Sequence, residues 1–191
     1  MLLCLVIYTL FLYLLVSFLK SRMNGEKTHL LKKKLCFTEK DDLYFMEKAI
    51  HAANVGRREG GIPIGAVLVT QEENAMYTIR GIGRNRRVQL GSATRHGEID
   101  CLENVGRLDA DVYRRSTMYT TLSPCEMCTG AILLFGIPRV VIGENTTFQG
   151  SEDLLRMRGV EVVNLDLCEC KKMMNFFISN NPDIWNEDIG K

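Results

Sequence analysis

Apolar positions recur along this chain in three rhythms, and each predicts a different kind of element. Residues 2–19 are almost entirely apolar, interrupted by Thr9 and Ser17; as a helix the run would span about 27 Å, close to the ~30 Å hydrocarbon core of a bilayer. Residues 39–58 carry Leu43, Phe45, Met46, Ala49, Ile50 and Ala53 at helical spacing, after Thr38 as N-cap, and stop at Glu59-Gly60-Gly61. Short apolar runs at 62–69, 77–82, 117–121, 139–143 and 160–165 predict strands, and 96–107, 126–135, 153–158 and 171–179 predict helices. A tail with Pro182, Trp185 and Asp188 follows. Two strands followed by alternating helix and strand predict an α/β protein of three α-β-α layers, with a central mixed five-stranded sheet covered on both faces.

The chain is 191 residues long, enough for one domain with a sizeable core. We divide it into an apolar segment (1–19), a basic linker (20–37) and a folded domain (38–191). The apolar segment has three readings. A cleaved signal peptide fits poorly, because no Lys or Arg precedes the run and Ser17-Phe18-Leu19 is a poor cleavage site. A signal anchor fits better: the bases cluster after the run, which would leave the domain on the cytosolic side of a membrane reached through residues 2–19. The third reading is a mis-assigned start, with Met23 or a later residue beginning the protein.

Charge narrows the range of partners. The 24 basic and 23 acidic residues include six and one, respectively, within the first 36, so the rest carries 18 against 22, a net −4. Domains that grip polynucleotides usually show a basic excess. This one has none, which favours a small-molecule substrate and no nucleic-acid partner; Arg84, Arg86 and Arg87 then read as a solvated loop. The seven cysteines are odd in number, which suits free thiols and a metal site in a reducing compartment better than a disulfide scaffold.

The chemistry concentrates in His96-Gly97-Glu98 and Pro124-Cys125-Glu126-Met127-Cys128, each at the start of a predicted helix. One imidazole and two thiolates are good ligands for Zn²⁺, and three protein ligands leave the fourth tetrahedral position open, as catalysis requires. Glu98 is free to carry protons beside the metal. Helix N-termini would help keep the thiolates ionised. A lone C-x-x-C is often a redox pair or half of a structural zinc site, for which Cys101 is the nearest fourth ligand in sequence. The conjunction of H-x-E with P-C-x-x-C is more specific and is the signature of zinc-dependent nucleobase deaminases.

Beyond the signature, residues 59–65 (EGGIPIG), 91–98 (GSATRHGE), 119–130 (YTTLSPCEMCTG) and 185–190 (WNEDIG) resemble the yeast-type cytosine deaminases of the cytidine and deoxycytidylate deaminase superfamily. The resemblance runs from Glu59 to the C-terminus. It implies a cytidine-deaminase-like fold, a cytoplasmic or nuclear homodimer in pyrimidine salvage, one Zn²⁺ per subunit, and free cytosine as substrate. It places the metal on His96, Cys125 and Cys128 and makes Glu98 the proton shuttle. Asn85 and the Gly97 N–H would bind the pyrimidine, and Asp188 would accept the N1 hydrogen. Phe148 and Trp185 would cover the ring, Ile64 would form an apolar wall, and the Ser123 carbonyl would face the amino group. Departures are the N-terminal extension and a slightly shortened loop at 149–155. Two rival readings share the zinc signature: a tRNA adenosine deaminase-like enzyme, and a zinc-bearing, membrane-tethered module without catalysis.

Overall fold

The sheet is assembled around β1 (Gly65–Gln71), every residue of which is buried. In the computed structural model, residues 35–74 and 76–191 are described; the apolar segment 1–19, and the expected linker as far as residue 34, lie outside the described residues. Residues 37–191 form one compact unit. Alternation along β1 shows why its apolar run, 66–69, is continuous. Ala66 and Leu68 enter one core with Cys101, Met118, Ile132 and Val140, while Val67 and Val69 enter another with Phe45, Met46, Ala49 and Tyr119. Both faces of the strand are therefore covered, the arrangement for which continuous apolar strands are suited.

Helix α1 (Glu39–Arg58) covers the second face, and Thr38 caps it with a reciprocal bond to Asp41. It is followed by β1, β2 (Tyr77–Arg84), α2 (Arg87–Leu90), α3 (Gly97–Val105), α4 (Ala110–Tyr113) and β3 (Ser116–Thr120). The rest is α5 (Glu126–Phe135), β4 (Arg139–Ile142), α6 (Glu152–Met157), β5 (Glu161–Asn164), α7 (Cys168–Asn180) and α8 (Pro182–Asp188). The five strands are ordered β2-β1-β3-β4-β5. β1 runs antiparallel to β2 and β3, whereas β3, β4 and β5 are mutually parallel. Helices α5 and α6 make the crossovers that parallel neighbours require.

Three departures from the sequence reading have local causes. The first strand begins at Gly65 rather than 62, because Pro63 has no N–H for a ladder and Ile64 N–H donates to Ile62 O at 2.8 Å in a tight turn. The 81–91 segment is more ordered than a loop: β2 runs on to Arg84 and α2 follows. The tail is a helix, with Pro182 in its first turn, where a missing N–H costs nothing.

Candidate active site

Two helix starts converge beside the end of β3. His96 is the N-cap of α3 and Cys125 the N-cap of α5, and neither side chain makes a capping bond. Both are thereby left to face each other: Cys125 Sγ lies 3.6 Å from His96 Nδ1. Cys128, one turn into α5, completes a group whose ligand atoms all lie within 4.8 Å of one another. A nitrogen and a sulfur sharing one tetrahedral zinc ion should be about 3.6 Å apart, from bond lengths of ~2.0–2.1 and ~2.3 Å. The donor set therefore fits zinc in type and spacing. Cys101 does not join it: its Sγ donates to Gly81 O at 3.3 Å and its side chain belongs to the apolar core.

The thiols are driven apart in acidity. The hydrogen bond from Cys128, with help from His96, holds Cys125 down to about 4. The same bond, then burial, raises Cys128 well above the usual thiol value. Burial opposes protonation of His96, but the bond to Cys125 and the charges of Asp188 and Glu98 outweigh it and raise its pKa.

Glu98 sits in the first turn of α3 and is buried. Thr120 Oγ1 donates to its Oε1 at 2.9 Å, and Cys128 Sγ lies 3.3 Å from its Oε2. Burial, reinforced by the charge on Cys125, pushes its carboxyl above the usual range. A carboxyl raised in this way holds a proton more readily, which suits a group that must both take and return one.

The remaining residues expected at the site gather around this centre. Ile64, Ser123, Phe148, Trp185 and Asp188 line one small cavity with His96, Glu98 and Cys125. The cavity measures about 20 Å³, room for about one water molecule. Phe148 and Trp185 meet edge to face, with ring centres 5.9 Å apart. Asn85 and Gly97 are not among the lining residues. Asn85 reaches the site through Nδ2, which donates to Asp188 Oδ1 at 3.2 Å.

Ser123 is held on two sides: its N–H donates to Glu144 O at 3.0 Å and its Oγ to Glu152 Oε1 at 2.9 Å. Gly150 N–H donates back to Ser123 Oγ at 3.0 Å, which ties the loop bearing Phe148 to the same post. Sequence reasoning missed Thr120, Glu152, Leu122 and Ile189. The first two act on other side chains and the last two are apolar walls, so no spacing announces them.

The loop carrying Asn85 owes its place to glycine and to a buried acid. A Cβ on Gly83 would fall 2.1 Å from the Cys101 nitrogen, so β2 can lie against α3 only without a side chain there. Asp100, fully buried on α3, accepts Arg84 N–H at 3.1 Å and lies 3.1 Å from Arg95 Nε.

The chain matches the family described as "cytidine and deoxycytidylate deaminase zinc-binding region" over residues 39–144. It is 50% identical to the cytosine deaminase of Candida albicans over 151 residues, covering 79% of this chain and 98% of that protein. A tRNA-specific adenosine deaminase of Buchnera aphidicola is 40% identical over 104 residues, 53% of this chain and 65% of that protein. Among solved structures, one from work on A-to-I editing by tRNA deaminases at the wobble position superposes with TM-score 0.57 at 25% identity, covering 69% of this chain and 99% of that one. A guanine deaminase from Nitrosomonas europaea superposes with TM-score 0.55, covering 76% and 88% of the two chains. At 17% identity, the latter likeness concerns the fold alone.

Proposed function

The chain belongs to the cytidine and deoxycytidylate deaminase family and has its three-layer fold, and from that membership we propose that it is a zinc-dependent hydrolase converting free cytosine and water to uracil and ammonia. The observation that carries this reading is the buried Glu98 carboxylate set against the His96, Cys125 and Cys128 group. Its substrate rests on the Candida albicans cytosine deaminase, which is matched over almost its whole length.

Zinc held by His96, Cys125 and Cys128 would supply the Lewis acidity that brings the ionisation of a water close to neutral pH. Glu98 takes the proton from that water and delivers one to ring N3 as the C4–O bond forms. It then takes the remaining proton from that oxygen and gives it to the amino nitrogen, so that the C4 carbonyl forms, the C4–N bond breaks and ammonia leaves. The hydrogen bond from Thr120 fixes Oε1, which leaves Oε2 as the oxygen nearer Cys128 to move the proton. The Ser123 carbonyl accepts from the amino group, Asn85 and the Gly97 N–H hold the ring, and Phe148, Trp185 and Ile64 exclude water around it.

Asp188 accepts the N1 hydrogen. A nucleoside carries its sugar at N1 and has no hydrogen to give; a buried carboxylate left without that donor costs about 1–3 kcal/mol, which favours the free base. The protein acts as a homodimer in pyrimidine salvage, with its domain (38–191) on the cytosolic side even where residues 2–19 anchor it in a membrane. Among the described residues, no helix is long and apolar enough to cross a membrane.

The test is ultraviolet monitoring of cytosine, cytidine and an adenosine-containing RNA with the zinc-loaded full chain. Cytosine alone should be consumed, and a chelator should stop the reaction until zinc is restored. Glu98→Gln should keep its zinc and lose at least about 10²-fold in turnover. Deamination of the RNA with cytosine left intact would replace this reading with the tRNA one.

A further inference from the structure

We propose that Arg87 is the positioning residue of the substrate pocket: it fixes Asp188 and Asn85 in one arrangement and so sets both the affinity for cytosine and the preference for an unsubstituted N1. This rests on the reading of the site given above. Arg87 opens α2, and its own backbone N–H donates to Asn85 Oδ1 at 3.1 Å. That bond dictates which way the carboxamide faces, because it leaves the Nδ2 end to donate inward. Its guanidinium then crosses to the C-terminal helix. Nη1 donates to Asp188 Oδ1 at 2.9 Å, and Nη2 to Glu187 Oε1 at 2.7 Å. Asn85 Nδ2 donates to the same Asp188 Oδ1. One arginine thus holds both polar groups expected to bind the pyrimidine, although they stand 103 positions apart in the chain.

Two features make this more than a surface ion pair. The side chains of Arg87 and Asp188 are only 11% and 3% exposed, so their attraction is weakly screened; Glu187, at 70%, lies on the rim. Both donors fall on Oδ1, which leaves Oδ2 as the oxygen for the N1 hydrogen. Asp188 Oδ1 also lies 3.6 Å from His96 Nε2. A carboxylate freed from Arg87 could turn toward that imidazole and away from the substrate. Among the described residues, the ion pairs joining α8 to the rest of the domain are those of Arg87 and this contact with His96. A planar fork can hold Asp188 and Glu187 together, where an ammonium acts as a single point charge.

The experiment is steady-state kinetics on the zinc-loaded full chain, with cytosine and 1-methylcytosine, for wild type, Arg87→Ala, Arg87→Lys, Asp188→Ala and the Arg87→Ala/Asp188→Ala double variant. Arg87→Ala should raise KM for cytosine by roughly tenfold or more, the cost of a charged hydrogen bond left unmade, with a much smaller change in kcat. Discrimination against 1-methylcytosine should fall with it, and Arg87→Lys should recover part of both. The double variant should resemble Asp188→Ala, since residues acting as one unit are not additive. Zinc content and the melting midpoint, measured for each variant, separate misfolding from mispositioning. Should Arg87→Ala fail to fold, Arg87→Lys carries the test: its KM and its discrimination must both shift.

An unchanged KM, or losses that multiply in the double variant, would overturn the role of Arg87 while leaving the function intact. A wild-type chain that leaves cytosine untouched would overturn both.

Discussion

Cys101 shows how a residue close to a metal motif in sequence can be remote from it in chemistry. It stands one turn beyond Glu98, but its thiol donates to Gly81 O, and burial pushes it far above the usual thiol range. Its sulfur is turned to a backbone carbonyl and lies outside the group that His96, Cys125 and Cys128 form. Cys101→Ala should therefore leave the zinc content of the purified protein unchanged and lower its melting midpoint through the lost packing, as metal analysis and calorimetry would report. Loss of the metal would instead mean a closed structural site. The ligands themselves were readable from the chain because zinc restricts its donors to few residue types, and two of them here share one helical turn. Thr120 was not readable: its work is one hydrogen bond to Glu98 from an otherwise ordinary strand residue. The same holds for Glu152, which touches the site through Ser123.

Helices α1 and α5 lie where their apolar spacing placed them, at Glu39–Arg58 and Glu126–Phe135, because each faces the sheet along one stripe and ends at glycine-bearing sequence. Helix α8 could not be seen that way. It is short, and it is held by Trp185 in a core with Ile62, Leu122 and Phe177 and by the ion pairs of Arg87, contacts that join distant parts of the chain. The attachment of α1 has a polar element of the same kind. Asp42 is buried and takes both terminal nitrogens of Arg139 at 2.8 and 2.7 Å, while Tyr119 Oη donates to its Oδ1 at 2.8 Å. Burial, and then the Asp42 charge, raise the Tyr119 phenol above its usual pKa, so it stays a donor through the neutral range. Removing one partner of a buried pair strands the other. Asp42→Ala should thus cost about 1–3 kcal/mol in denaturant unfolding, because the terminal nitrogens of Arg139 lose their buried partner while its Nε keeps only the half-exposed Glu161 at 3.3 Å. A loss below 1 kcal/mol would mean that water reaches Arg139 once the carboxylate is gone.

The layered α/β class, the mixed five-stranded sheet and the placement of both ligand helices were legible because βαβ crossovers allow few topologies, whereas the strand order was not. What the chain did not announce is how much apolar surface the folded domain leaves uncovered on one side. At the end of α5, Leu134 is 81% exposed. Beside it, Phe135 stacks on Tyr113 with ring centres 4.8 Å apart, and the two rings border a groove of about 650 Å³ that Ile99 and Leu102 also line. Large apolar side chains are also exposed elsewhere, Met157 and Phe176 among them, but those here border a groove, the kind of apolar patch that marks an interaction site. Arg107 and Arg114 lie in the same groove as Glu103, which supplies both signs of charge for a self-complementary contact. For the homodimer proposed above, this face is the seat that an experiment should test. The groove runs along α3, whose first turn carries Glu98, so pairing there would also brace the helix that positions the proton carrier. Sedimentation equilibrium of the full chain in mild detergent should therefore give twice the chain mass at micromolar concentration. Leu134→Glu should shift it toward the monomer, since a charge at the centre of an apolar contact must be desolvated without a partner. A wild-type chain that sediments as a monomer, or a Leu134→Glu dimer as tight as wild type, would place the interface elsewhere or remove it.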